Sequence, residues 1–76
     1  MNLARVLKRK NIRQYELQKA LAEKYNHTVS LSVVSQYCRR EQPSPYPCWK
    51  VVRECLRNEF GIEYRSGMWQ EVITNG

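Results

Sequence analysis

The chain has 76 residues, with 13 Lys or Arg against seven Asp or Glu and a formal net charge of +6. A chain this short forms one domain that buries only about 60% of the surface of its unfolded state, which argues against a deep catalytic cleft. Residues 1–40 carry nine of the basic and two of the acidic side chains, so the charge that favours a polyanionic partner is concentrated in the first half.

The first predicted helix covers residues 3–10. Apolar side chains recur there at the spacing of one helix face: Leu3, Val6 and Leu7. Asn2 is suited to cap the start, and Asn11 is suited to end the helix because Asn tolerates a left-handed backbone. The other face is basic, so the helix is expected to pack on a core through one side.

The second predicted helix runs from Ile12 or Arg13 to Tyr25. Its residues are strong helix formers, and its apolar stripe comprises Leu17, Ala20, Leu21 and Tyr25. Asn26 is suited to end it. The segment from Asn26 to Thr28 is therefore expected to be a break before the next element.

The third predicted helix is capped by Ser30 or Ser32 and reaches about Arg40. Its apolar residues follow the i, i+3, i+4 pattern: Val34, Tyr37 and Cys38. The run VSLSVV is also rich in β-branched residues and is compatible with a strand. A helix is favoured, because two helices precede it and a lone strand would have no pairing partner.

The remainder of the chain is predicted as a stiff connector, one long helix and a short apolar tail. Pro43, Pro45 and Pro47 break the third helix, and Pro47 suits the first turn of a helix over residues 47–60. That helix places Trp49, Val52, Leu56 and Phe60 on one stripe, and Gly61 is suited to end it. Residues 62–64 are predicted to be short extended chain.

The tail is expected to end in a helical turn that Ser66 caps. Its apolar residues are Met68, Trp69, Val72 and Ile73. A stripe of this kind is too apolar for a free tail, so it either packs on the core or forms a dimer contact. The sequence thus predicts an all-α fold of four to five helices, with a core in residues 3–60 and an extension over 61–76.

The predicted elements have the layout of a helix-turn-helix. Two consecutive short helices are followed by a break and then by a serine-capped helix that ends in arginines. Residues 7–21, LKRKNIRQYELQKAL, resemble the opening of the lambda-repressor/Cro-type helix-turn-helix family, with its Thr-Gln-x-Glu-Leu segment. Residues 29–40, VSLSVVSQYCRR, resemble the family's Val-Ser-x-x-x-Ile-Ser segment. The resemblance extends over roughly residues 3–60 and implies a domain that binds double-stranded DNA.

The resemblance also implies roles for individual residues. The base-reading residues would be Leu31, Ser32, Ser35 and Gln36. Gln36 is the best candidate for an adenine contact, because a Gln amide matches the N6 and N7 atoms of adenine, and Leu31 would touch a thymine methyl group. Phosphate contacts would come from Gln14 and Arg13, or from Gln18 in an alternative alignment, and from Arg39 and Arg40 at the groove edge.

The sequence departs from the family pattern at the turn. Residues 22–28, AEKYNHT, stand where the family has a short turn with a Gly, which makes an insertion of about six residues. The alternative alignment places residues 21–26 on the family's Leu-Ala-Glu-Lys-Leu-Gly and leaves only His27 and Thr28 as the insertion. Arg13 stands where the family has a capping Thr, which removes a capping oxygen.

The three cysteines, Cys38, Cys48 and Cys55, are odd in number and form no CxxC pair. They are expected to be reduced, and their spacing with His27 lacks the close ligand pairs of structural zinc sites. We expect no metal and no cofactor. The N-terminus lacks the apolar run of a signal peptide, and no stretch is long enough to cross a bilayer, so a cytoplasmic protein is expected.

The leading hypothesis from the sequence is a sequence-specific transcriptional regulator, such as a phage- or plasmid-type repressor that acts as a homodimer. The alternative is a helix-turn-helix protein-interaction module that binds another regulator and does not itself read DNA. The insertion at residues 22–28 and the apolar tail motivate that alternative. An enzyme is not expected, because no nucleophile, metal or phosphate-loop constellation is present.

Overall fold

A computed structural model describes residues 2–72 as four helices followed by a β-hairpin. The helices are α1 (Leu3–Arg9), α2 (Gln14–Tyr25), α3 (Leu31–Arg39) and α4 (Cys48–Phe60). The strands are β1 (Ile62–Arg65) and β2 (Met68–Glu71). All four helices lie at their predicted places. Of residues 29–34, whose composition is also compatible with a strand, residues 31–34 form the start of α3.

The prediction of an all-α fold is wrong, because residues 62–71 form an antiparallel hairpin. The register pairs Tyr64 with Trp69, and the extended chain predicted at residues 62–64 is its first strand. Ser66 does not cap a helical turn. Instead Ser66 and Gly67 adopt positive φ angles of 55° and 78°, the backbone that closes a tight hairpin with the right-handed twist of its strands.

The misreading of the tail has a physical origin. Met68, Trp69 and Val72 fit a helical spacing, but β2 uses alternation, with Trp69 buried and Met68 exposed. Backbone pairing across the turn decides between the two, and Val72 N extends it by donating to Gly61 O at 2.7 Å. Ile73, the last member of the predicted apolar set, lies outside the described residues.

The predicted helix ends are confirmed at the level of single side chains. Asn2 and Ser30 cap α1 and α3, because each side chain accepts a hydrogen bond from a backbone N–H in the first turn. Asn11, Asn26 and Gly61 adopt the left-handed backbone that ends α1, α2 and α4. These local signals place each helix before any tertiary contact is considered.

One core joins the helices to the hairpin. Its buried members are Leu3, Val6, Leu7, Leu17, Leu21, Val34, Tyr37, Cys38, Trp49, Val52, Cys55, Leu56, Ile62 and Trp69. Trp69 is 1% exposed, and its ring lies between those of Trp49 and Tyr64, at centroid distances of 6.2 and 5.4 Å. The hairpin therefore closes the core that the helices begin. Within residues 2–72, no helix combines the length and apolar character needed to traverse a bilayer.

Candidate nucleic-acid interface

The third helix has one face in the core and one face in solvent. Val34, Tyr37 and Cys38 are buried against the other elements. The C-terminal end of the helix is held through its backbone, because Arg40 O accepts hydrogen bonds from Trp69 Nε1 at 3.2 Å and from Leu3 N at 3.4 Å. The side chain of Arg40 remains exposed. A fixed backbone with free outer side chains is what a reading helix needs.

The outer face of α3 brings together three of the four predicted base-reading residues at i, i+3 and i+4. Ser32 and Gln36 are exposed, and Ser35 is half-buried on the same face. Arg39 continues this face at i+7 and donates from Nη2 to Ser35 Oγ at 3.3 Å. Leu31, the fourth residue, begins the helix and is 48% exposed. The predicted set is therefore contiguous, with a hydrogen-bonding centre and an apolar start.

The dimensions of this helix match the groove it is predicted to enter. An α-helix with its side chains is about 10–12 Å in diameter, and the major groove of B-DNA is about 12 Å wide. The nine residues of α3 rise about 13.5 Å at about 1.5 Å per residue. A helix of this length places its outer side chains over about four base pairs at about 3.4 Å each. The face can therefore contact a short base sequence, and the rest of the domain would lie over the flanks.

The start of α2 presents two of the predicted phosphate ligands. Arg13 occupies the N-cap position, and Gln14 is the first helical residue; both side chains are exposed. Arg13 has no side-chain acceptor, so the cap is made by Glu16, whose Oε2 accepts from Arg13 N at 2.8 Å. The helix therefore begins directly after Arg13.

Gln18, the alternative candidate for the phosphate contact, makes a hydrogen bond within the protein. Its Nε2 donates to Val29 O at 2.8 Å, so the side chain holds the connection between α2 and α3. That hydrogen bond uses the amide inside the protein and stabilises the loop before the α3 cap. Of the two glutamines proposed for the phosphate contact, Gln14 is the one whose side chain is exposed.

The insertion lengthens α2 and adds a braced loop of five residues. The segment 22–25 extends α2 by one turn, and residues 26–30 connect it to α3. His27 N donates to Leu21 O at 2.9 Å, and the His27 ring lies beside Tyr37, with Nε2 and Oη 3.3 Å apart. The loop is thus tied to both helices, which sets the angle at which α3 is presented.

Tyr37 connects this loop to the centre of the domain. Its ring meets the Trp49 ring edge-on, at a centroid distance of 4.9 Å. Burial raises the pKa of Tyr37, and the neighbouring Cys48 thiol raises it further, so the phenol stays protonated at neutral pH. A neutral Tyr37 is therefore a packing and hydrogen-bonding residue behind the exposed face.

Charge is distributed differently on the two sides of the domain. The ion pairs of the described residues join Lys24 to Glu59, and both Arg57 and Arg65 to Glu63. Other basic side chains lie at exposed helix ends and form no ion pair with an acidic group of residues 2–72. These are Arg13, Arg39 and Arg40. Lys24, Arg57 and Arg65 are thus paired with acidic groups, whereas the two arginines at the end of α3 are not.

The prediction from sequence missed Tyr46, which was treated as part of a stiff connector. It is 67% exposed and lines a concavity with Gln36, Arg39 and Arg40 at the end of α3. A tyrosine between two prolines follows no helical or strand period, so periodicity offers no signal for it. Tyr46 therefore lies on the same concave surface as three predicted DNA ligands.

The cysteines do not form a ligand cluster. Burial raises the pKa of Cys38 and of Cys55 to about 11 each, so both are neutral thiols at physiological pH. Cys48 is half-buried, and all three are free. Among residues 2–72, no group of three or more His, Cys, Asp or Glu side chains is arranged to hold a metal ion.

No protein-family model, curated protein or solved structure matches the chain.

Proposed function

We propose that the chain is a double-stranded DNA-binding transcriptional regulator that reads the major groove with α3. The observation that carries this proposal is the two-sided α3. Its inner face is fixed in the core, and its outer face presents Ser32, Ser35, Gln36 and Arg39 in one row beside unbalanced positive charge. Base edges require side chains that donate and accept hydrogen bonds, and phosphates require cations.

In this mechanism the basic residues position the domain and the polar residues select the sequence. Arg39 and Arg40 bind phosphates at the groove edge, and Arg13 and Gln14 bind phosphates from the start of α2. Gln36 donates to N7 and accepts from N6 of an adenine, and Leu31 packs on a thymine methyl group. The protein would act as a repressor by covering the site that another factor or the polymerase needs.

Homodimer formation is part of the proposal, because a single reading helix covers few base pairs and paired half-sites raise specificity. Trp69 is buried within the domain and so is not available as the dimer contact suggested for the apolar tail. Met68 is exposed on β2 and remains available for one. Sedimentation of the protein with and without a two-half-site duplex measures the stoichiometry.

The test is a salt-dependent binding assay on a random duplex pool and on duplexes selected from it. Wild-type affinity is expected to fall steeply with salt, because each phosphate contact contributes about 0.9 to the slope of log K against log salt. Replacing Arg39 and Arg40 with Ala should lower that slope by about 1.8 on every sequence. The matched control replaces Arg57 and Arg65, whose charges pair with Glu63, and should leave the slope unchanged.

Two outcomes contradict the proposal. One is the absence of duplex binding by the folded wild-type protein at low salt. The other is equal loss of affinity in the Arg39/Arg40 and Arg57/Arg65 variants, which would indicate a general effect of net charge. In the first case, the protein-interaction module becomes the better account of the fold.

A further inference from the structure

The connector after α3 joins two concave surfaces into one. The first concavity is lined by Gln36, Arg39 and Arg40 at the end of α3, and the second by Lys50, Arg53 and Glu54 on α4. Tyr46 and Trp49 line both. Because Tyr46 and Trp49 line both, the two concavities are adjacent, and Tyr46 is largely exposed while Trp49 is buried. We call this the connector surface: Arg39, Arg40, Tyr46, Lys50 and Arg53.

The connector surface is positively charged. Four of its five residues are Lys or Arg, and the ion pairs of the described chain use none of them. Glu54 lines the α4 part and Glu41 stands next to Arg40 in the chain, so acidic groups offset part of the charge without removing it. Lys50 and Arg53 are three residues apart on α4, which places their side chains on one face.

We infer that the connector surface binds the phosphodiester backbone of the duplex beside the segment that α3 reads. This inference rests on the proposed function. It follows from continuity, since Arg39 and Arg40 belong both to the reading helix and to this surface. Lys and Arg side chains and a Tyr hydroxyl are the groups that contact phosphate oxygens without sequence preference.

The size of the domain supports a flank contact. Its longest dimension is 30 Å, which corresponds to about nine base pairs at about 3.4 Å each. The outer face of α3 covers about four of these, at 1.5 Å per residue over nine residues. The connector surface extends from the C-terminal end of α3, so it lies over base pairs that α3 does not reach.

The test uses one selected sequence in two lengths: a duplex of about 20 base pairs, and its central segment of about five base pairs, the part that α3 covers, closed as a hairpin. Wild type is compared with a Lys50→Ala/Arg53→Ala variant and with an Arg57→Ala/Arg65→Ala control. On the long duplex, the Lys50/Arg53 variant should lose about 1.8 from the salt slope, because two phosphate contacts are removed. On the short duplex, this variant should bind like wild type. The control should match wild type on both.

A charge-conserving variant, Lys50→Arg/Arg53→Lys, separates charge from local structure and should retain the wild-type slope. Equal loss on the two lengths, or no loss on either, overturns the inference while the proposed function stands. If wild type binds neither duplex, the proposed function fails first. A poly-glutamate peptide is then the probe, and binding that depends on Lys50 and Arg53 would reassign the surface to an acidic protein segment.

Discussion

The outer face of α3 and the C-terminal hairpin are built from similar residues but serve different ends. Each carries a glutamine, at least one arginine and one exposed large apolar side chain. On the hairpin, Gln70 Nε2 donates to Arg65 O at 2.8 Å, and Arg65 binds Glu63 at 2.8 Å. On α3, Gln36 has no such internal acceptor among the described residues, and Arg39 donates a hydrogen bond to Ser35 of its own helix.

The difference teaches how to separate structural polar groups from ligand-binding ones in a small basic domain. Side chains that satisfy one another stabilise the fold and are not available to a partner. Side chains that stand on a fixed backbone and have no partner within the protein are available to bind a ligand. Composition alone would not distinguish the two regions, because both contain Gln and Arg.

The largest expected effect is on the stability of the fold, which should depend on the hairpin and not on the outer face of α3. Trp69→Ala should lower the free energy of unfolding by about 3–5 kcal/mol, because it empties the core position and leaves Arg40 O without one of its donors. Leu31→Ala should change it by less than about 0.5 kcal/mol, since that side chain is exposed. Denaturant unfolding measures both. Should the Ala variant fail to fold, Trp69→Phe keeps ring packing and is expected to lose less.

The second contrast concerns base selectivity. Gln36→Ala should reduce discrimination of the preferred adenine by about 1–3 kcal/mol, or about 5- to 160-fold, because the amide no longer pairs with the base edge. Gln70→Ala is the matched control on the hairpin and should leave selectivity unchanged. Competition binding with single-base variants of a selected duplex gives the comparison. Equal selectivity of wild type and Gln36→Ala would remove Gln36 from the reading set.

The third contrast uses the two exposed apolar side chains. Replacing the contacted thymine with uracil removes one methyl group and should weaken wild-type binding by about 0.8 kcal/mol, or about fourfold. Leu31→Ala should bind the two duplexes more nearly alike, whereas Met68→Ala should keep the full wild-type preference. A thymine preference that persists in Leu31→Ala would assign the methyl contact to another residue.

The smallest contrast concerns a charge pair distant from α3. Lys24 Nζ binds Glu59 Oε1 at 2.8 Å and lowers the pKa of Glu59 below its usual 4.5. The stabilisation from this carboxylate is therefore present above about pH 4.5 and is lost as the pH falls through the lower folded-state pKa. Glu59→Gln should flatten the dependence of unfolding midpoint on pH in this acidic range.

Glu71→Gln, an exposed change on the hairpin, is the control for that pH series and should keep the wild-type dependence. Identical profiles for wild type and Glu59→Gln would show that the pair contributes nothing measurable, as is common for exposed ion pairs. The expected effect is small because both side chains are accessible to water and salt.

The sequence by itself determined the helices and their ends. Periodic apolar residues, the caps at Asn2 and Ser30, and the left-handed stops at Asn26 and Gly61 act within a few residues, so local chemistry is sufficient to place them. It also placed Leu31, Ser32, Ser35 and Gln36 outside the apolar face of α3, because Val34, Tyr37 and Cys38 form that face.

Only the tertiary structure decided the hairpin, the role of Gln18 and the connector surface. A strand forms only when its partner is present. The spacing of Trp69 and its apolar neighbours therefore also fits a helix, and the pairing with β1 decides for a strand. Gln18 meets Val29 across a loop of the chain, and Tyr46 joins α3 to α4 by position alone. These contacts join separate elements of the fold, and no period within one element encodes them.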